Sequence, residues 1–268
     1  VLALVADPPE LRLDPAAGTN VITVLTVTAV APPATPGGPP LTPAPADVAW
    51  TFCPYSVGAS SGYACAIPDC ESTLPASPDG RVVTLDPLAE VRKPRCQAAL
   101  AGLGAGAPGG PGGGSVETLV RYVATLGGLR REAVQRIPVW FGAPPAQAAN
   151  LNPIITSATS GFDCSGSPGR CAVGSIPIDV TIDPASFQPY AAGADRTVDE
   201  TIVVSFFTTA GRFKYESGQA TTANLQTGTS LEAKELGGAT EALVWVVARD
   251  LRGGEAVAGP LTVVFSRP

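Results

Sequence analysis

Few residues in this chain could do acid, base, nucleophilic or metal chemistry, and their types restrict what they can do. None of the 268 residues is histidine, which removes the Ser-His-Asp triad, the Cys-His pair and every His-based metal site. Paired carboxylates remain a formal glycosidase pattern, because Asp195, Asp199 and Glu200 fall together in "ADRTVDET". They read more simply as a charged turn ahead of a strand, and their spacing matches neither an EF-hand loop nor an alternating calcium-binding run. Lys214, in "GRFKYE", reads as a sheet-surface position and not as half of a Ser-Lys dyad. The expectation is a protein that is not an enzyme, with no catalytic residue, no cofactor and no metal.

One stretch imitates a cofactor loop. Within "GLGAGAPGGPGGGS" (Gly102 to Ser115), Gly104, Gly106 and Gly109 satisfy G-x-G-x-x-G. A phosphate-binding loop must lead from a buried strand into a helix, so that backbone amides and the helix N-terminus converge on the anion. Here "PRCQAALA" precedes the glycines without a β-run, and "VETLVRYVA" follows them as a strand. The stretch is expected to be a flexible loop extension with weak order and no bound anion.

The six cysteines point to disulfides and an oxidising compartment. Cys164 and Cys171 bracket the turn-rich "CSGSPGRC", which makes them natural partners. Cys53, Cys65, Cys70 and Cys96 allow three pairings; Cys53 with Cys96 and Cys65 with Cys70 is the one favoured, and spacing alone does not decide. A four-thiolate zinc site fits poorly, since Cys65 and Cys70 are too far apart for a C-x-x-C knuckle and Cys53 and Cys96 form no second knuckle.

The elements that carry these residues are strands. Hydrophobic residues make up 45% and charged residues 15%, while 30 Gly and 28 Pro imply many turns and irregular connections. Two segments repeat: "LVRYVATLGGLRREAVQRIPVWF" (Leu119 to Phe141) aligns with "LVWVVARDLRGGEAVAGPLTVVF" (Leu243 to Phe265) with a one-residue shift at the turn. Each reads as a hairpin whose second strand closes a domain, with Gly127-Gly128 or Gly253-Gly254 supplying the turn. "IPIDVTID" sets Ile176, Ile178, Val180 and Ile182 on one face of a half-buried strand. "VAWTFC" and "TIVVSFF" read as central strands, with Trp50 in the core, and "VITVLTVTAV" as a long strand. "DPLAEV" reads as a short helix capped by Asp86 and stopped by Pro94. The seven-proline "APPATPGGPPLTPAPAD" is a stiff connection between two sheets rather than an SH3 ligand. The fold expected is all-β: two tandem immunoglobulin-like antiparallel β-sandwich domains with long Pro/Gly-rich loops, residues 1–143 and 144–268.

"LALVADPPELRLDPAAG" ahead of a β-run, then "VAWTFCP" and "VWVVARDLRGGEAV", resemble the secreted immunoglobulin-like lipoproteins of GC-rich, myxobacteria-like bacteria. The resemblance implies an extracytoplasmic address, in the periplasm, on the outer-membrane surface or secreted, with a lipid anchor upstream of Val1; it assigns no chemistry. The chain lacks that family's lipidated Cys at position 1.

A net charge of −6 with scattered basic residues argues against nucleic acid, and "RKPR" (Arg92 to Arg95) reads as a solvated loop. Binding signals concentrate in "SFFTTAGRFKYESG", where Phe207, Phe213 and Tyr215 are the candidate partner-binding residues; with Ile202, Val204 and Phe206 inward, Phe207 faces out. The expected role is a non-catalytic structural or protein-interaction protein, a subunit or accessory of a cell-surface or periplasmic assembly with protein partners. The alternative is a carbohydrate-binding module for extracellular polysaccharide, which three Trp and five Tyr supply thinly.

Overall fold

A computed structural model describes residues 2–13, 22–35, 38–58, 61–102, 114–141, 148–161, 175–191, 197–232 and 239–265. The Gly104–Gly109 fingerprint and the pair Cys164 and Cys171 lie outside them. The protein is all-β, as expected from the sequence, and its sheets, antiparallel but for one short parallel pair, pack face to face around two cores.

The N-terminal half contributes β1 (Leu2–Asp7), β2 (Leu11–Leu13), β3 (Thr23–Ala29), β4 (Val48–Cys53), β5 (Ser72–Thr73), β6 (Val82–Leu85), β7 (Gly114–Leu126) and β8 (Leu129–Phe141). A three-stranded sheet in the order β1-β3-β6 faces a five-stranded sheet in the order β2-β8-β7-β4-β5. Strand β3 shows why: Thr23, Leu25, Val27 and Ala29 are buried at every second position. The Pro-rich connection runs from β3 in one sheet to β4 in the other, closed on itself by paired bonds between Ala31 and Leu41. Trp50 is a core residue as expected, with its ring edge-on to Tyr122 and its Nε1–H donating to the Gly80 carbonyl at 2.9 Å.

Three features differ from the sequence reading. The segment Leu2–Leu13 forms two strands, and β2 pairs parallel with β8, because the chain changes sheets between β1 and β2 and so runs alongside the closing strand. Helix α1 (Pro87–Val91) forms behind Asp86, whose carboxylate accepts from Ala89 N–H, but Pro94 opens a second helix, α2 (Pro94–Gly102). Proline suits a helix's first turn, so one residue ends α1 and begins α2. The favoured cysteine pairing is corrected: the disulfides are Cys53–Cys65 and Cys70–Cys96, with Cα atoms 5.5 and 4.3 Å apart. A bridge between Ser56 and Cys65 folds that loop back to Cys53, while the turn Pro68–Cys70 delivers Cys70 to α2.

The C-terminal half contributes β9 (Ile155–Ser160), β10 (Ser175–Ile182), β11 (Tyr190–Ala191), β12 (Thr197–Val198), β13 (Ile202–Thr208), β14 (Arg212–Phe213), β15 (Ser217–Ala220), β16 (Gln226–Glu232), β17 (Glu241–Arg249) and β18 (Glu255–Val264). Sheets in the orders β14-β16-β10-β9 and β15-β13-β17-β18 enclose a second core. Ile176, Ile178, Val180 and Ile182 of β10 all point into it. The repeat keeps its inward face in both halves: Val120, Tyr122 and Ala124 on β7 enter the first core, and Val244, Val246 and Ala248 on β17 enter the second.

Candidate functional site

The predicted aromatic site is only partly assembled. On β13, Ile202, Val204 and Phe206 are buried and Phe207 is half-exposed on the other face, as alternation requires. Phe213 is corrected to a core residue: it is 5% exposed and its ring lies 5.8 Å from that of Phe206. Its neighbour in the short strand β14 therefore takes the outward position, and Phe213 is unavailable for docking. Tyr215 is 59% exposed, with Lys214 Nζ 5.3 Å from the ring centroid. An open cleft of about 500 Å³ where the chain passes from β13 to β14 is lined by Ser205, Phe207, Arg212 and Glu216. Trp245, paired with Phe207 across the sheet, is buried despite facing outward.

A second cleft of about 610 Å³ lies over the edge strand β5, lined by the Cys70–Cys96 disulfide, Glu90, Lys93 and Arg95. Three of its charged side chains are committed locally: Lys93 pairs with Glu90, which also accepts from Ser72, and Arg95 donates to the Glu71 carbonyl.

The densest polar cluster lies where the two halves meet, and the sequence reading passed over nearly all of it. The turn between β17 and β18, "DLRGGE", enters between the β1–β2 turn and β8. Asp250 accepts on Oδ1 from the Arg252 and Gly254 amides at 2.7 and 2.9 Å, which fixes the turn. Arg252 then bridges the halves, with Nη1 at 2.5 Å from Glu200 Oε1 and Nη2 at 3.8 Å from Glu10 Oε2, and its guanidinium lies over the Tyr190 ring. Glu200 is 1% exposed, so this acid, expected in a charged turn, is part of a buried ion pair and not a solvated charge.

Further bonds cross the same junction. Leu4 N–H donates to Glu255 Oε1 at 3.0 Å, and the other oxygen of Glu255 takes Arg249. Gln135 Nε2 of β8 donates to the Gly253 carbonyl, Asn152 Nδ2 to the Ala6 carbonyl, and the Asn150 amide to Glu10 Oε2. Burial pushes the carboxyls of Glu200, Asp250 and Glu255 above the ordinary carboxylate range, against the opposing pull of their Arg and amide partners. The one signal available in the sequence was "RDLRGGE", whose alternating charges occupy the place held in the first hairpin by "TLGGLRRE". Chemically these groups act as a brace: each acid is nine-tenths or more buried and held by fixed donors. Among the described residues no group of three or more Cys, Asp and Glu side chains is arranged to hold a metal.

No protein-family model matches the chain, and no curated protein matches it in sequence. Solved structures overlap it loosely. The fibronectin(III)-like modules of Clostridium thermocellum CbhA share 13% identity over 98% of this chain and 94% of theirs, with a TM-score of 0.26. The FN1-FN3 domains of chicken CNTN1 share 9% over 93% and 64%, with a TM-score of 0.23. The YadV chaperone shares 12% over 95% and 98%, with a TM-score of 0.24. Overlap at this level carries no argument about function.

Proposed function

We propose that the chain is a non-catalytic extracytoplasmic structural or protein-interaction protein, two tandem sandwiches braced into one stiff unit that serves as a subunit or accessory of a cell-surface or periplasmic assembly. The observation that carries this reading is the use of the buried charges. Glu10 and Glu255 bond directly across the junction, while Glu200 holds Arg252 and Asp250 fixes the turn that meets the other half. Two disulfides among the described residues support an oxidising compartment. The partner contact we propose is the surface around the outward Phe207, which lines an open cleft, and the exposed Tyr215. Trp50 and Trp245 are buried, which leaves little aromatic surface for stacking on sugar.

Cross-linking in intact source cells, followed by mass identification, tests this. A recurrent protein partner that is lost on Tyr215→Ala supports the reading. Absence of any adduct, together with saturable polysaccharide binding that Tyr215→Ala removes, overturns it in favour of a carbohydrate-binding module.

A further inference from the structure

The junction holds more buried acid than it holds guanidinium. Glu10, Glu200, Asp250 and Glu255 are 6%, 1%, 3% and 6% exposed. Three guanidiniums face them: Arg12 on Glu10, Arg249 on Glu255, and Arg252 on Glu200 and Glu10. Among the described residues Asp250 has no such ion pair. Arg136 on β8, whose carbonyl lies against Gly253, turns its guanidinium to Glu117. Tyr190 over Arg252 and Tyr63 beside the Gly253 groove bring neither acid nor guanidinium, and Gln188, on Glu200, is neutral. The cluster therefore carries one negative charge in excess, located on Asp250.

Beside that charge stands a group able to serve either protonation state. Asn150 is 1% exposed; its Nδ2 donates to Asp250 Oδ2 at 2.9 Å, and its Oδ1 is buried with no partner. A half turn of the amide exchanges donor for acceptor and breaks no bond other than the one to Asp250.

We propose that Asp250 and Asn150, whose backbone N–H reaches Glu10 of the other half, form a proton-binding clasp at the junction. One proton from water binds Asp250 Oδ2. The bond from Asn150 Nδ2 to that oxygen is replaced by one from the new hydroxyl to Asn150 Oδ1, and the buried cluster becomes neutral. The sign follows from burial, which raises the native carboxyl above its unfolded value. An acid shifted upward adds stability that is complete below the ordinary carboxylate range of ~4 and is lost as pH climbs through the raised native value. The junction thus tightens as pH falls through that raised value and slackens above it.

The test is amide hydrogen exchange on the whole chain, followed at Leu4 and Asn150, whose N–H groups donate into the junction, and corrected for intrinsic rates at the two ends of a range from pH about 4 to about 7.5. In the wild type, protection should be higher at the lower pH, by up to about tenfold per pH unit for one proton. In Asp250→Asn, which is neutral at this position at every pH, the rise should be clearly smaller, the remainder coming from Glu200 and Glu255. Protection that is flat or falls on acidification in the wild type, or that rises undiminished in the variant, overturns the proposal. Should the variant not fold, the Asp250 carboxyl carbon is titrated by NMR in the wild type: a midpoint above the ordinary aspartate value supports the clasp, and one at or below it overturns it.

Discussion

The two hairpins that repeat in sequence have parted company at their turns. In β7–β8 the register runs without interruption from Gly114 opposite Phe141 to Leu126 opposite Leu129, and Gly127 and Gly128, at φ 57° and 77°, form a two-residue turn in solvent. In β17–β18 the register slips at Trp245, and the turn lengthens to Leu251–Gly254, closed by Asp250 N–H on the Gly254 carbonyl. Leu126 puts an apolar side chain into the first core; its counterpart, Asp250, is an acid at the junction. A hairpin's strands answer to the core beneath them, whereas its turn is free to become something else. Here one copy stayed a plain reversal of direction and the other became the piece that joins the halves.

Four substitutions would break or sharpen this contrast. Arg252→Met should cost the most, about 3–5 kcal/mol in urea unfolding, because it leaves the buried Glu200 without its cation and removes the bridge to Glu10. Gly254→Ala should cost about 1–3 kcal/mol by the same measurement, since the new Cβ would overlap Asp250 Oδ2 and lie 2.9 Å from the Leu151 carbonyl. Gly128→Ala, in the first turn, meets nothing within 4 Å and should cost about 1 kcal/mol from its φ of 77° alone. Arg130→Met, whose side chain is 70% exposed, should shift the urea midpoint by no more than about 0.5 kcal/mol is worth. Equal losses for Arg252→Met and Arg130→Met would mean that the second turn is no more structural than the first.

Strands were legible wherever one face is buried and the other wet, as on β3 and β10, because alternation is written directly into residue order. The strands β1 and β2 were less so. In "LALVAD" Ala3 and Leu4 are both buried, so no clean two-residue period announces the strand. The disulfide pairing depends on where a single turn aims Cys70, which spacing does not encode. The junction was the least legible part. Glu10, Glu200 and Asp250 each look like surface charge in their own neighbourhoods, and their burial arises only when segments 140, 100 and 52 positions apart come together. Phe213 failed for a similar reason: a two-residue strand is too short to show which face it buries.

The edge strand β1 has a mechanical meaning as well. It lies antiparallel to β3 from Leu2 opposite Ala29 to Asp7 opposite Val24, and the amide of Leu4 is hooked to Glu255 of the other half. Tension drawn along β1 from the amino end loads this whole ladder in shear rather than peeling it bond by bond. Part of the load passes through Leu4 into β18, so that the two cores resist a pull together.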